Sequence, residues 1–400
     1  MRNGTPGFVP GRLVLAREAQ GYVTREALAR RVGKSASTVQ RWEDGSATPE
    51  PDALRSLAEA LNVRPEHFLR PLLQSDRPVF FRSLASTLKR EKALQRARMS
   101  WLFDLSTALQ EYIELPSVDI PDAMGRTSFK QLRNEDLERI ALQLREHWGL
   151  GQGPCVDVVA FMERSGFVVA SEEMGTSRLD GLCRWRDEEQ RPYVLLADDK
   201  MSFSRRQMDS AHEMAHAVLH RGVSAIDFAE NFELIEQQAF RLGSAFLLPG
   251  TTYPNETRFH SLAEFEALKD RWKVSIKAQI KRLSDLNILD PESARALYKS
   301  YSARGWSRGE PFDDVWPVPR PRALAEGFNA VVDAQLRTKI DLLNSDLTIS
   351  ARDAESLAGL PLGWFDEKQG GIVKLIPRSE VARLPQTKAG DVLPFRFEGR

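Results

Sequence analysis

The chain has 400 residues, 42% hydrophobic and 28% charged, ordinary values that exclude wholesale disorder and imply two or three domains. Its longest apolar runs, such as 193–197 and 245–248, fall far short of the roughly 18 residues of a membrane span, so no membrane partner is expected. The net charge is zero, yet the first hundred residues carry 18 Lys/Arg against 10 Asp/Glu, so a polyanion contact is expected at that end alone. Residues 1–10 lack the charged start and apolar centre of a secretory signal. Two cysteines, Cys155 and Cys183, cannot build a disulfide framework and read as small buried side chains in a reduced, cytoplasmic protein.

Residues 11–70 read as short helices. The first covers 11–20. Thr24 suits an N-cap, and Gly33 ends the helix 25–32 because glycine accepts left-handed backbone. Residues 35–43 form the next helix, stopped at Asp44-Gly45, and 53–61 the fourth, with Leu54, Leu57, Ala58 and Leu61 at helical spacing. Two short helices about a glycine turn make a helix-turn-helix. With Ala29, Gly33, Val39, Trp42 and the ending Glu43-x-Gly45-x-x-x-Pro49, the segment resembles the lambda-repressor-like (XRE) DNA-binding family. That resemblance implies a homodimer on a double-stranded DNA operator. It also implies Ser37, Thr38 and Arg41 at base edges, and Arg25 and Gln40 at phosphates or the groove edge. Arg41 has the fork that guanine O6 and N7 accept from. Val39 and Trp42 are expected in the core.

Residues 83–115 contain no proline and read as one or two long helices, with Lys89, Arg90, Lys92, Arg96 and Arg98 as a solvated face. Pro116 to Pro121 reads as a linker. Helices follow at 135–147 and 156–165, and strands at 167–170 and 193–196. Asp180-Gly181 reads as a turn near a cleft.

The chemistry lies in His212-Glu213-Met214-Ala215-His216. Residues four apart on a helix share a face, so both imidazoles can reach one metal ion, while Glu213 can reach a metal-bound water. The chain has six histidines, and three fall between 212 and 220. His220 lies two turns beyond His212, too far along the axis to share one ion, and reads as structural. A third ligand is needed, and Glu230, Glu233 and Glu236 on the next helix are the candidates.

The segment resembles the ImmA/IrrE metallopeptidases. His212 to His220 matches their HELGH-x-x-x-H, and the E-x-x-A followed by Phe246-Leu247-Leu248-Pro249 matches their second motif. Counting back thirteen residues from Pro249 places that family's glutamate ligand on Glu236. Ala215 stands where the family has glycine, and Leu242-Gly243 where it has Phe-Ala, expected as a packing change away from the ligands. The resemblance implies a metallo-endopeptidase of the gluzincin type. Zinc, with manganese as alternative, would be held by His212, His216 and Glu236, with Glu213 as catalytic base. Its substrate would be a protein (a repressor, an antitoxin or this chain itself) cleaved in a stress response. The alternatives are a one-component regulator whose metallopeptidase-like domain only senses a metal or ligand, and an antitoxin-like binding module.

The expected fold is α+β, mostly α. A lambda-repressor-like domain at 1–72 is followed by a helical connector at 73–121 and a zincin-like domain with a small sheet at 122–250. A helical subdomain at 251–310 includes two helices across 268–289. The helical C-terminal region at 311–400 offers no recognisable chemistry, with turns at Gly370-Gly371 and Pro377.

Overall fold

The computed structural model describes residues 4–73, 78–81, 89–176, 179–199, 202–366 and 393–394; the turns expected at Gly370-Gly371 and Pro377 lie outside them. The fold is α+β and mostly helical. Its strands are β1 Phe80–Phe81, β2 Ile113–Glu114, β3 Val168–Glu172, β4 Gly181–Arg186, β5 Arg191–Ala197 and β6 Leu393–Pro394. The chain divides into two compact units. Among the described residues, the first unit holds 4–73, 89–116, 322–366 and 393–394, and the second holds 78–81 and those between 117 and 321.

The first unit opens with α1 Pro10–Ala19, α2 Arg25–Arg31, α3 Ala36–Glu43 and α4 Pro51–Ala60. Local chemistry sets their ends. Thr24 Oγ1 accepts from the Ala27 N–H and Ser35 Oγ from the Thr38 N–H, each at 3.2 Å. Gly33 and Gly45, at φ +63° and +78°, supply the left-handed backbone that closes α2 and α3. Leu13, Leu28, Val39, Trp42, Leu54 and Leu57 are buried together as the core of these helices.

The single long helix α5, Lys89–Gln110, completes this unit. Between Ala97 and Leu109 it is buried on nearly every side, because α1, α14 (Ala323–Asp333) and α16 (Ala351–Ala358) all pack on it. Arg98 therefore departs from the expected solvated face: it is buried, with Nη1 2.5 Å from Asp353 Oδ1 of α16. The three-residue helix α15, Lys339–Asp341, lies between α14 and α16. The segment before α16 runs beside α4. Val63 bridges Ile349, the Arg64 N–H donates to the Thr348 carbonyl at 2.8 Å, and Arg64 Nη1 donates to the Leu347 carbonyl at 3.2 Å. Residues 322–366 thus supply walls of the unit that carries the helix-turn-helix.

His67 is sealed in that wall, with Nδ1 2.9 Å from Thr348 Oγ1. Burial, reinforced by the Arg12 and Arg70 guanidinium charges, pushes its pKa down to about 3. A histidine depressed in the folded state stabilises fully above its unfolded pKa near 6.5 and loses that contribution as pH falls toward the folded value. Between about pH 6 and pH 3.5, wild type is expected to lose roughly 1.4 kcal/mol per pH unit more than His67→Gln. Urea midpoints for both proteins across that range check this, and parallel curves would refute it.

In the second unit the sheet order is β1-β4-β5-β3. β4 pairs antiparallel with β5 and with β1, and β3 pairs parallel with β5. The helices are α6 Asn134–His147, α7 Val158–Arg164, α8 Phe203–Leu219, α9 Ala225–Glu230, α10 Phe232–Leu247, α11 Leu262–Trp272, α12 Ile276–Asp285 and α13 Pro291–Ala303. α8 lies against β4, and α10 packs on α8 and α6. Glu138 of α6 accepts from Arg282 Nη1 of α12 at 2.6 Å and from Arg241 Nε of α10 at 3.0 Å, fastening three helices beneath the site.

Candidate metal centre

Ser202 caps α8 by accepting from the Arg205 N–H, and the helix then runs unbroken through residues 212–216. His212 and His216, one turn apart, are 3% and 1% exposed. Their Nε2 atoms lie 3.0 Å apart. Glu236 enters from α10, with Oε2 3.4 Å from His212 Nε2 and Oε1 3.3 Å from His216 Nε2. The ligand-type atoms of the three residues all lie within 4.8 Å of one another.

Two ligands at 2.0–2.1 Å from a tetrahedral ion stand roughly 3.3 Å apart, which these spacings match. Both Glu236 oxygens are buried and neither takes part in a hydrogen bond among the described residues. A buried carboxylate without hydrogen bonds is costly unless a cation faces it. The donor set therefore fits a divalent ion. Burial pushes the Glu236 pKa up, but the two neighbouring imidazoles outweigh it and hold the carboxyl down at about 2, in the ionised form a ligand needs.

The other two glutamates stand apart from this cluster. The expected continuous helix breaks at Asn231, which ends α9 and begins α10; Glu230 lies before the break and is exposed, and Glu233, in the first turn of α10, is exposed too. His220 is also outside the ligand set. It is fully buried at the C-cap of α8, and burial, with His216 beside it, holds its pKa well below the ordinary value. Cys155 and Cys183 are buried free thiols, and burial pushes Cys155 up to about 11.

Two glycines need correction. Asp180-Gly181 is not a turn at the cleft: Gly181 opens β4, opposite Leu196. It is glycine for space, since a Cβ there would lie 2.9 Å from Glu213 Oε1 and 3.1 Å from its Cγ. Gly243 is not away from the ligands. A Cβ there would meet the Ala211 carbonyl at 3.1 Å and the His212 nitrogen at 3.2 Å, so this glycine is where α10 presses on the ligand-bearing turn of α8. If the site hydrolyses peptides, Gly181→Ala is expected to displace the Glu213 carboxylate and cut that turnover about 10²-fold, with metal affinity unchanged. Turnover and chelator competition on the same samples check this; equal turnover would refute it.

Periodicity gives no sign of Phe80. Its ring, carried by β1, stacks on His216 at 4.9 Å and 13°.

In the first unit, Ser37, Gln40 and Arg41 of α3 and Arg25 of α2 are exposed, and Thr38 is half-buried. Ser35 Oγ lies 2.9 Å from Ser37 Oγ and 2.8 Å from Thr38 Oγ1. Arg25 is held in place, since its Nε donates to Glu43 Oε2 at 2.6 Å. Glu43, which also accepts from Arg17 Nε at 2.5 Å, joins α1, α2 and α3. No spacing rule points to such a three-helix junction.

Residues 162–284 match the IrrE N-terminal-like domain. Residues 14–68 match the helix-turn-helix family of XRE type. The chain therefore joins a DNA-binding helix-turn-helix to an IrrE/ImmA-like, metallopeptidase-like domain. The second match spans α1 to α4, and the first includes α8, α10 and the whole ligand cluster. No curated protein matches the chain. No helix among the described residues is long and apolar enough to cross a membrane.

Proposed function

We propose that this chain is a transcription regulator with a zinc-dependent endopeptidase site, acting on a repressor or other regulatory protein in a stress response. The observation that carries this reading is the convergence of His212, His216 and Glu236 beside Glu213, in a chain that also bears a helix-turn-helix. In this reading residues 1–72 bind an operator as a homodimer, through Ser37, Thr38 and Arg41 at bases and Arg25 and Gln40 at the groove edge. Residues 122–250 form the peptidase domain. His212, His216 and Glu236 would hold the ion, which would supply polarisation of a peptide carbonyl and acidification of water. Glu213 accepts the proton of the water that adds to the carbonyl carbon, and returns it to the leaving nitrogen as the C–N bond breaks.

A second reading, a regulator whose site only senses a metal or ligand, is favoured by Phe80. Its ring stacks on His216, which ties the ligand cluster to a residue outside α8 and α10. The test compares new protein N-termini in cells making wild type or Glu213→Gln at matched levels, with and without DNA-damaging or oxidative stress. Termini found only with wild type support the peptidase and name its substrate. Unchanged termini and unchanged gene output with Glu213→Gln would favour the sensor.

A further inference from the structure

We propose that His220 and Gln238 are positioning residues that fix His216 in the tautomer whose Nε2 lone pair faces the ligand cluster. This rests on the reading of His212, His216 and Glu236 as a metal site.

The Phe129 backbone carbonyl can only accept, and Gln238 Nε2 donates to it at 2.7 Å. That contact sets the amide, so Gln238 Oε1 faces His220 Nε2 at 3.2 Å. An amide oxygen cannot donate, so His220 Nε2 carries the proton. In a neutral imidazole the other nitrogen, Nδ1, is then an acceptor. It lies 3.0 Å from His216 Nδ1, which must donate. His216 Nε2 is left with its lone pair, directed at the space it shares with His212 Nε2 and Glu236 Oε1. Reversing any one link would set donor against donor or acceptor against acceptor in a region closed to water, since His216, His220 and Gln238 are all buried.

The third histidine, excluded as a ligand, thus has a role that its burial alone does not explain. Phe80 and Phe129 enclose the pair, with Phe80 stacked on His216 and Phe129 edge-on to His220. Partners behind a ligating imidazole orient the ring and set its tautomer, and their removal weakens metal binding by roughly 10–100-fold.

The test uses the full chain with three substitutions. His220→Leu removes both links. His220→Gln keeps an acceptor for His216 and a donor for Gln238. Gln238→Leu leaves His220 in place and removes the acceptor of its Nε2–H together with the donor to the Phe129 carbonyl. Zinc affinity is read by competition with a chromophoric chelator, and the tautomer of His216 by nitrogen-15 shifts of the zinc-loaded protein. We expect His220→Leu and Gln238→Leu to bind zinc roughly 10–100-fold more weakly than wild type. His220→Gln should recover most of that loss, and wild-type His216 should carry its proton on Nδ1. A folded His220→Leu protein within about twofold of wild type, or a His220→Gln protein no better than His220→Leu, overturns the proposal. If His220→Leu does not fold, the Gln238→Leu affinity decides by the same margins. A wild-type chain that binds no zinc overturns the metal-site reading itself, which separates the two failures.

Discussion

Purified Glu213→Gln protein is expected to take up zinc as wild type does and, on the proposed peptidase reading, to cleave a protein substrate roughly 10²–10⁴-fold more slowly. The substitution changes one oxygen to an amide nitrogen of nearly the same shape, and Glu213 is not among the three residues that converge as ligands. What is lost is a base. A carboxylate accepts a proton and passes it on, whereas an amide does neither at neutral pH. Glu213 is buried against the first residue of β4, where only a glycine leaves room for it, so the side chain has little freedom to act elsewhere. Measured zinc stoichiometry and initial cleavage rates on the same preparation check this. Equal cleavage by the variant would remove Glu213 from the mechanism, and a loss of zinc would make it a structural residue.

The second large effect is on stability. Glu43→Ala is expected to cost the first unit about 3–5 kcal/mol, because it leaves a buried guanidinium without its counter-charge. The Glu43 and Arg17 side chains are 1% and 8% exposed, and after the substitution Arg17 keeps, among the described residues, the backbone carbonyls of Tyr22 and Val23. Arg25 contributes less to this cost, since it is half in solvent and can rehydrate. The loss should reach function as well, because the same carboxylate ties Arg25 of α2 to the end of α3. Equilibrium denaturation gives the energy, and operator affinity at fixed salt gives the functional loss. A cost below about 1 kcal/mol would mean that relaxation or water replaces the carboxylate.

Much of this architecture is legible in the residues because much of it is local. Thr24, Ser35, Gly33 and Gly45 mark helix ends through bonds and backbone angles reaching only a few residues. The four-residue spacing puts His212 and His216 on one face for the same reason. Spacing alone leaves three glutamates open; the motif count singles out Glu236, and in the structure the break at Asn231 cuts off Glu230 while Glu233, on the same helix as Glu236, is exposed. What stayed hidden depends on residues distant in sequence. Arg98 looks like one of five surface cations until Asp353 is brought beside it. Gly181 and Gly243 look like a turn and a packing change until β4 and α10 are seen against α8. Gln238 carries no sequence signal, since its importance lies in the carbonyl on one side and the imidazole on the other.

The wall built by residues 322–366 also has a consequence in time. Arg64 leaves the ribosome 284 residues before Thr348, its backbone partner. At typical elongation rates of about 5–20 residues per second, that is a wait of roughly 15–60 s. During synthesis α1 to α4 can form their own helical core, but Val63, Arg64 and His67 lack their partners at 348 and 349 until the second unit has been translated. The nascent chain thus presents α1 to α4 before the contacts of Arg64 and His67 with residues 347 and 348 exist. A ribosome stalled after α13 would hold α1 to α4 without the partners that Arg64 and His67 find at residues 347 and 348.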